Sequence, residues 1–103
     1  MRLAYAVVCG GKVEVASVHM TPRLAMAHWL AAGGVRLSPR ISNEALKATY
    51  AGIAAVHKQQ PVELAIVQIT PSRSVDVAGL EDLDAPPAVV ALVPPAPPPP
   101  RGP

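Results

Sequence analysis

The chain has 103 residues, with nine basic and seven acidic side chains and a formal net charge of +2. This length allows one small domain, and the modest charge, with two Tyr, one Trp and no Phe, does not favour a nucleic-acid binder, because such proteins carry denser basic surfaces and aromatic side chains for base stacking. A single cysteine cannot form an internal disulfide. No apolar run reaches the roughly 18 residues of a spanning helix, so we expect a cytoplasmic protein without a targeting segment or membrane contact.

The chain begins with a predicted β-hairpin. Residues 3–8, "LAYAVV", are apolar on both faces, which is typical of a strand that is central in a sheet or covered on both sides. Gly10 and Gly11 follow, and glycine readily adopts the positive φ angles of a tight hairpin turn. The sequence therefore predicts that the chain reverses here into a second strand.

The second predicted strand covers residues 13–19, where apolar and polar positions alternate. Such alternation predicts an edge strand with one solvated face. A two-residue turn pairs Val8 with Val13, whereas a three-residue turn pairs Val7 with Val13. The two registers present opposite faces of the first strand, and the sequence leaves both open.

The first predicted helix covers residues 22–32, "PRLAMAHWLAA". Thr21 is a favourable N-cap, and Pro22 at the first helical position loses no hydrogen bond that the helix needs. Gly33 and Gly34 then predict its C-terminal end. Because the helix has few polar residues, we expect most of it to be buried.

The second predicted helix has two candidate starts. It begins at Pro39, with Ser38 as the cap, or at Asn43, with Ser42 as the cap. The apolar periodicity continues to about residue 58.

A third predicted strand, residues 62–69, is apolar almost throughout and ends before Pro71. The order β-β-α-α-β predicts an α+β fold in which a small three-stranded sheet carries two helices on one face. We expect the first and third strands to be neighbours and residues 1–71 to form the compact domain. The other face of the sheet is then also apolar, and we expect another part of the protein or a partner to bury it. Its residues are Ala4, Ala6 or Val8, with Val67 and Ile69.

Residues 72–103 form an acidic and then Pro-rich tail, partly disordered or docked on the domain. Within it, residues 88–93, "AVVALV", are able to add a strand to a sheet edge. We therefore predict that Val89, Val90 and Leu92 contact a partner or this protein's own sheet.

The residues that could carry chemistry do not converge. Cys9 lies at the hairpin turn without a nearby base, and its ordinary role is that of a small apolar residue. His19, His28 and His57 lie on three elements without ligand-like spacing. His28, beside Trp29 in an apolar helix, is expected to be buried. The sequence therefore predicts no catalytic, cofactor or metal site and no enzyme.

A small basic group is predicted near the start of the second helix, formed by Arg36, Arg40 and Lys47. It provides the alternative function of a small nucleic-acid-binding or regulatory protein. A solvated helix face is the ordinary explanation of the same charges.

The stretch "YAVVCGGKVEVASVHMTPRLAMAHWL" resembles short bacteriophage and prophage proteins, in which a G-K/E hairpin leads to Thr-x-Arg-x-Ala and a helix with a Trp-Leu pair. The matching positions are Gly11, Lys12, Val13, Val15, Thr21, Arg23, Ala25, Trp29 and Leu30. The resemblance implies a compact accessory protein that binds a host protein in the bacterial cytoplasm, with defence (anti-CRISPR-like) components among the targets. A homodimeric interaction module is a further alternative.

Overall fold

The computed structural model describes residues 2–57, 59–68 and 71–87. Its elements are β1 (Ala4–Cys9), β2 (Lys12–Val13), a 3-10 turn (Val15–Ser17), α1 (Pro22–Ala32), α2 (Asn43–Val56), β3 (Val62–Val67) and β4 (Pro71–Val75). The strands form one antiparallel sheet in the order β2-β1-β3-β4. The predicted α+β class is confirmed, and the sheet has one strand more than the predicted three.

The hairpin adopts the two-residue turn. Gly10 and Gly11 have φ angles of 60° and 81°, and Val8 pairs with Val13. This register is one of the two that the sequence leaves open. On its other side β1 pairs with β3 along its whole length, so the prediction that the first and third strands are neighbours is confirmed.

The prediction of a second strand over residues 13–19 is wrong, because regular strand pairing stops at the end of β2. The backbone N–H of Glu14 still donates to the Val7 carbonyl at 2.9 Å. The Val7 N–H is the next donor of β1. It donates to the Ser17 hydroxyl oxygen at 2.8 Å and not to a backbone carbonyl. A side chain thus replaces the strand partner and allows the chain to form the 3-10 turn, and pairing returns only where His19 bridges to Tyr5.

Both helices begin at side-chain caps. The Thr21 hydroxyl accepts from the Leu24 N–H at 3.2 Å, which confirms the predicted start of α1. The Ser42 hydroxyl accepts from the Ala45 N–H at 3.1 Å, so α2 takes the later of its two predicted starts. Neither of these helices has the length and apolar character needed to cross a membrane, within the part of the chain that the structure describes.

The main core lies between the helices and one face of the sheet. Tyr5 and Val7 of β1 and Leu64 and Ile66 of β3 contribute from the strands. The helices contribute five further buried side chains, Ala25, Met26, Leu30, Leu46 and Tyr50. Because side chains alternate across a strand, the two helices cover a single face, as predicted.

The second face of the sheet forms a separate cluster. Ala6 and Val8 of β1 lie beside Ala65 and Val67 of β3, and all four are buried. No residue of α1 or α2 belongs to this cluster. The face is therefore buried, as the two-sided apolar pattern of the strands predicts, whereas Ile69 lies outside the described residues.

Part of the segment that follows β3 belongs to the fold. Pro71 begins β4, whose Val75 pairs with Leu64. Further on, Leu83 is fully buried in the main core, and its carbonyl accepts from the Arg23 N–H at 2.9 Å. Residues 72–87 thus pack against the domain, while the predicted strand-forming segment 88–93 lies outside the described residues.

Candidate functional site

Four large apolar side chains lie exposed within ten residues of chain. The exposed fractions are 82% for Val15, 40% for Val18, 57% for Met20 and 43% for Leu24. They belong to the 3-10 turn, the segment after it and the first turns of α1, and the turn packs against α1. We call these four residues the apolar edge surface.

The apolar edge surface exists because the chain leaves the sheet after β2. In a regular strand Val15 and Ser17 would share one face, but in the 3-10 turn Ser17 is buried and Val15 is exposed. The Ser17 hydroxyl also donates to the Glu14 carbonyl at 2.6 Å, which closes the turn from inside. The apolar side chains of this segment therefore point outward from a hydrogen-bonded scaffold.

Two histidines meet beside this surface. The ring centroids of His19 and His28 are 3.9 Å apart, with the planes tilted by 30°, and the His19 Nε2 atom lies 3.2 Å from the Ala16 carbonyl. His28 is exposed, so the prediction that it is buried is wrong. It lies four residues after Leu24, on the side of α1 opposite Met26, and therefore faces solvent.

The predicted basic group is not a single free cluster. Arg36 and Arg40 lie exposed in the segment between the helices. Lys47 is half-buried on α2, and its ammonium group donates to the Leu80 carbonyl. One of the three cations therefore holds the segment after β4, and Arg36 and Arg40 are the two that are exposed. The predicted contact residues Val89, Val90 and Leu92 lie outside the described residues.

At the hairpin turn, the described neighbour of the Cys9 thiol is a neutral amide side chain. The Cys9 sulfur lies 3.6 Å from the Gln60 side-chain oxygen, and His19 pairs with Tyr5, four residues from Cys9 along β1. Within residues 2–57, 59–68 and 71–87, no three His, Cys, Asp or Glu side chains are grouped closely enough to hold a metal ion.

The pKa values of two tyrosines are raised above the ordinary value. Burial raises the pKa of Tyr50, and the nearby Glu63 carboxylate and Cys9 raise it further. Burial also raises the pKa of Tyr5, although Arg73 opposes the change. Both phenols are therefore neutral at physiological pH, and neither is poised as a general base.

The alternating pattern of residues 13–19 predicts one strand and therefore does not indicate the apolar edge surface. Two signals could have indicated it. Leu24 and His28 are spaced to share a helix face, and that face lies opposite the buried Met26 and Leu30. Met20 directly precedes the Thr21 cap, where a strand has already ended.

Comparisons with known proteins found no relative of the chain. A scan against protein-family models, a search of curated proteins and a search of solved structures each found no match to the chain. The resemblance to phage accessory proteins stays a prediction.

Proposed function

We propose that this protein is a non-enzymatic interaction module that binds another protein through the apolar edge surface. One observation carries the proposal: Val15, Val18, Met20 and Leu24 are all 40% or more exposed although they lie within ten residues of chain. Single exposed apolar residues are ordinary, whereas a group of them on one segment is typical of a surface that another protein covers.

The backbone beneath the surface supports the same function. The Ser17 hydroxyl accepts from the Val7 N–H of β1 and donates to the Glu14 carbonyl that precedes the turn. The Thr21 side chain caps α1, and His19 forms a bridge with Tyr5. A surface already held in its bound conformation loses less conformational entropy on association. Met20 adds an unbranched side chain that adapts to an irregular partner surface.

The partner that we propose is a folded protein with a complementary apolar surface. A bacterial host protein, including a defence component, is the partner class that the resemblance to phage accessory proteins implies. That part of the proposal rests on the resemblance alone, while the location of the contact rests on the exposed side chains.

The proposal is tested with the tagged full chain and two matched variants. Val15→Asp places a charge in the apolar edge surface, and Val56→Asp places the same charge at the end of α2, where Val56 is 72% exposed. A partner is defined as a protein that wild type and Val56→Asp capture from bacterial extract and Val15→Asp does not. With the purified partner, we expect Val15→Asp to raise Kd at least about 10-fold and Val56→Asp to leave it unchanged.

The outcomes that contradict the proposal are distinct. If every captured protein binds Val15→Asp as well as wild type, the apolar edge surface is not the contact. If sedimentation instead shows a wild-type dimer that Val15→Asp converts to a monomer, the surface is occupied by a second copy, and the homodimeric alternative replaces binding of a different protein.

A further inference from the structure

A cavity of about 360 Å³ opens where the last turns of the two helices meet. Its apolar walls are Leu30, Val35 and Ile53, and Trp29 also lines it. Glu14 and His57 supply the polar groups at the cavity wall. This volume lies within the range of about 300–1,000 Å³ that small-molecule sites occupy.

The cavity follows from the way α1 ends. The Gly33 N–H still donates to the Trp29 and Leu30 carbonyls at 3.1 Å. Gly34 then has a φ of 90°, which ends α1, and the Val35 N–H donates to the Leu30 carbonyl at 2.9 Å. This turns the chain back beside its own helix end. Gly33 itself lines the cavity beside Val35 and Ile53, so the cavity belongs to the helix end and does not depend on a side-chain rearrangement.

Trp29 is held in place by aromatic neighbours. Its ring centroid lies 5.4 Å from that of Tyr50, at an interplanar angle of 66°, and 5.8 Å from that of His57. Edge-to-face contacts of this kind stabilise a defined ring orientation. The indole therefore lines the cavity before any ligand arrives.

The charges favour one ligand class. Among the described residues, the titratable side chains that line the cavity are Glu14 and His57, and the lining includes no Lys or Arg. Glu14 is an exposed residue. A Trp ring attracts an organic ammonium group through its π-electrons, and a nearby carboxylate attracts the same charge. The apolar walls suit an aryl or alkyl portion.

We propose that this cavity binds a small organic cation, in which an ammonium group faces Glu14 and Trp29 and an aryl or alkyl portion contacts the apolar walls. The cavity lining shares no residue with the apolar edge surface, although Glu14 precedes Val15 in the chain, and the proposal does not depend on the function proposed for that surface. The ligand is a free small molecule, so the two activities are measured independently.

The chain's single Trp is Trp29, so its fluorescence reports directly on the cavity. Benzylammonium and benzyl alcohol, which have nearly the same shape and differ in charge, are titrated into the full chain. We expect saturable binding of benzylammonium, with an affinity at least about 5-fold above that of benzyl alcohol. Equal affinities, or no response to benzylammonium up to its solubility limit, would overturn the proposal.

Two charge variants locate the site. Glu14→Gln removes the carboxylate at the cavity, and Glu44→Gln removes an exposed carboxylate in the first turn of α2, outside the cavity lining. We expect Glu14→Gln to weaken benzylammonium binding about 3- to 10-fold with benzyl alcohol unaffected, and Glu44→Gln to change neither. An equal loss in both variants would mean that the cation responds only to net charge, and the proposal would be wrong.

Discussion

Two buried hydroxyl groups lie in opposite environments. The Ser17 hydroxyl accepts one backbone hydrogen bond and donates another. The Tyr50 hydroxyl is buried and has no hydrogen-bond partner among the described residues. A buried polar group costs free energy when it is unpaired and stabilises modestly when it is paired. The two residues should therefore respond to mutation in opposite directions.

Ser17→Ala should destabilise the fold, because it leaves the Val7 N–H without its acceptor inside the protein. We expect the free energy of unfolding to fall by about 1–3 kcal/mol in urea denaturation. Ser38→Ala is the matched control, since its hydroxyl accepts an exposed backbone N–H, and it should change stability by less than about 0.5 kcal/mol. A Ser17→Ala variant as stable as Ser38→Ala would contradict the account of the turn.

Tyr50→Phe should leave stability at neutral pH equal or higher, because it removes a hydroxyl that no protein group satisfies. Its effect should grow in alkali. The folded-state pKa of Tyr50 is raised above the ordinary value of 10, so above that pH the unfolded chain loses a proton that the folded chain keeps, and Tyr50 lowers stability by about 1.4 kcal/mol per pH unit.

The measurement is urea denaturation of wild type, Tyr50→Phe and Tyr5→Phe between pH 8 and pH 11. Below pH 10, Tyr50 should not make the free energy of unfolding of wild type depend on pH. Above pH 10 this free energy should fall, and it should fall less steeply in Tyr50→Phe. Tyr5→Phe serves as the comparison. The pKa of Tyr5 is raised as well, so this variant should also fall less steeply than wild type, but it should be less stable at pH 8, because it loses the hydrogen bond that the Tyr5 hydroxyl donates to the Pro86 carbonyl at 3.3 Å. Identical alkaline slopes in wild type and Tyr50→Phe would show that Tyr50 does not contribute.

At the scale of the elements, we expect replacement of a glycine to have opposite effects on stability in the hairpin and in α2. Gly11 has a φ of 81° and nothing within 4 Å of the position a Cβ would occupy, so it is required by the backbone alone. Gly52 lies inside α2 with equally open surroundings and no positive φ. Any residue with a side chain fits there, and most form helices better than glycine.

Gly11→Ala should therefore destabilise the protein by about 1–2 kcal/mol, because a left-handed backbone is costly for a residue with a Cβ. Gly11→Asn should lose less, since Asn tolerates this conformation better. Gly52→Ala should instead stabilise by about 0.5–1 kcal/mol. Thermal or urea unfolding of the three variants checks the order, and a destabilising Gly52→Ala would contradict the open environment of that position.

The elements also differ in how far sequence could predict them. α1 follows its prediction at both ends because its signals are local, namely the Thr21-Pro22 start and the Gly33-Gly34 stop. The prediction of the second strand is wrong because the Ser17 hydroxyl, four residues beyond β2, accepts the hydrogen bond of a β1 donor, the Val7 N–H. A pattern of alternating side chains carries no information about which acceptor that donor will find.

At the scale of the whole molecule, the segment after β3 completes the core. Arg23 joins three parts of the chain: its guanidinium donates to the Asn43 side chain and the Ile41 carbonyl, both at 2.7 Å, and its backbone N–H donates to Leu83. Leu83 is fully buried and belongs to the core cluster to which both helices and the sheet contribute. This anchoring makes residues up to at least Leu83 part of the cooperative unit.

Leu83→Ala should lower the free energy of unfolding by about 2–5 kcal/mol, as expected for a fully buried leucine. Leu24→Ala is the control, because Leu24 is exposed in the apolar edge surface and its loss should cost less than about 0.5 kcal/mol. Urea denaturation followed by Trp29 fluorescence gives both values. A Leu83→Ala variant as stable as Leu24→Ala would show that this segment is not part of the core.

The sequence alone determined the α+β class, the hairpin turn, the limits of α1 and the pairing of the two central strands, because each depends on local propensity or on burial of both strand faces. Only the tertiary structure decided the hairpin register, the placement of β4 and Leu83, the meeting of His19 with His28 and the exposure of the apolar edge surface. These features depend on contacts between residues that are distant in sequence or on single hydrogen bonds such as that of Ser17. Side-chain periodicity does not encode them, and they arise only when the whole chain packs.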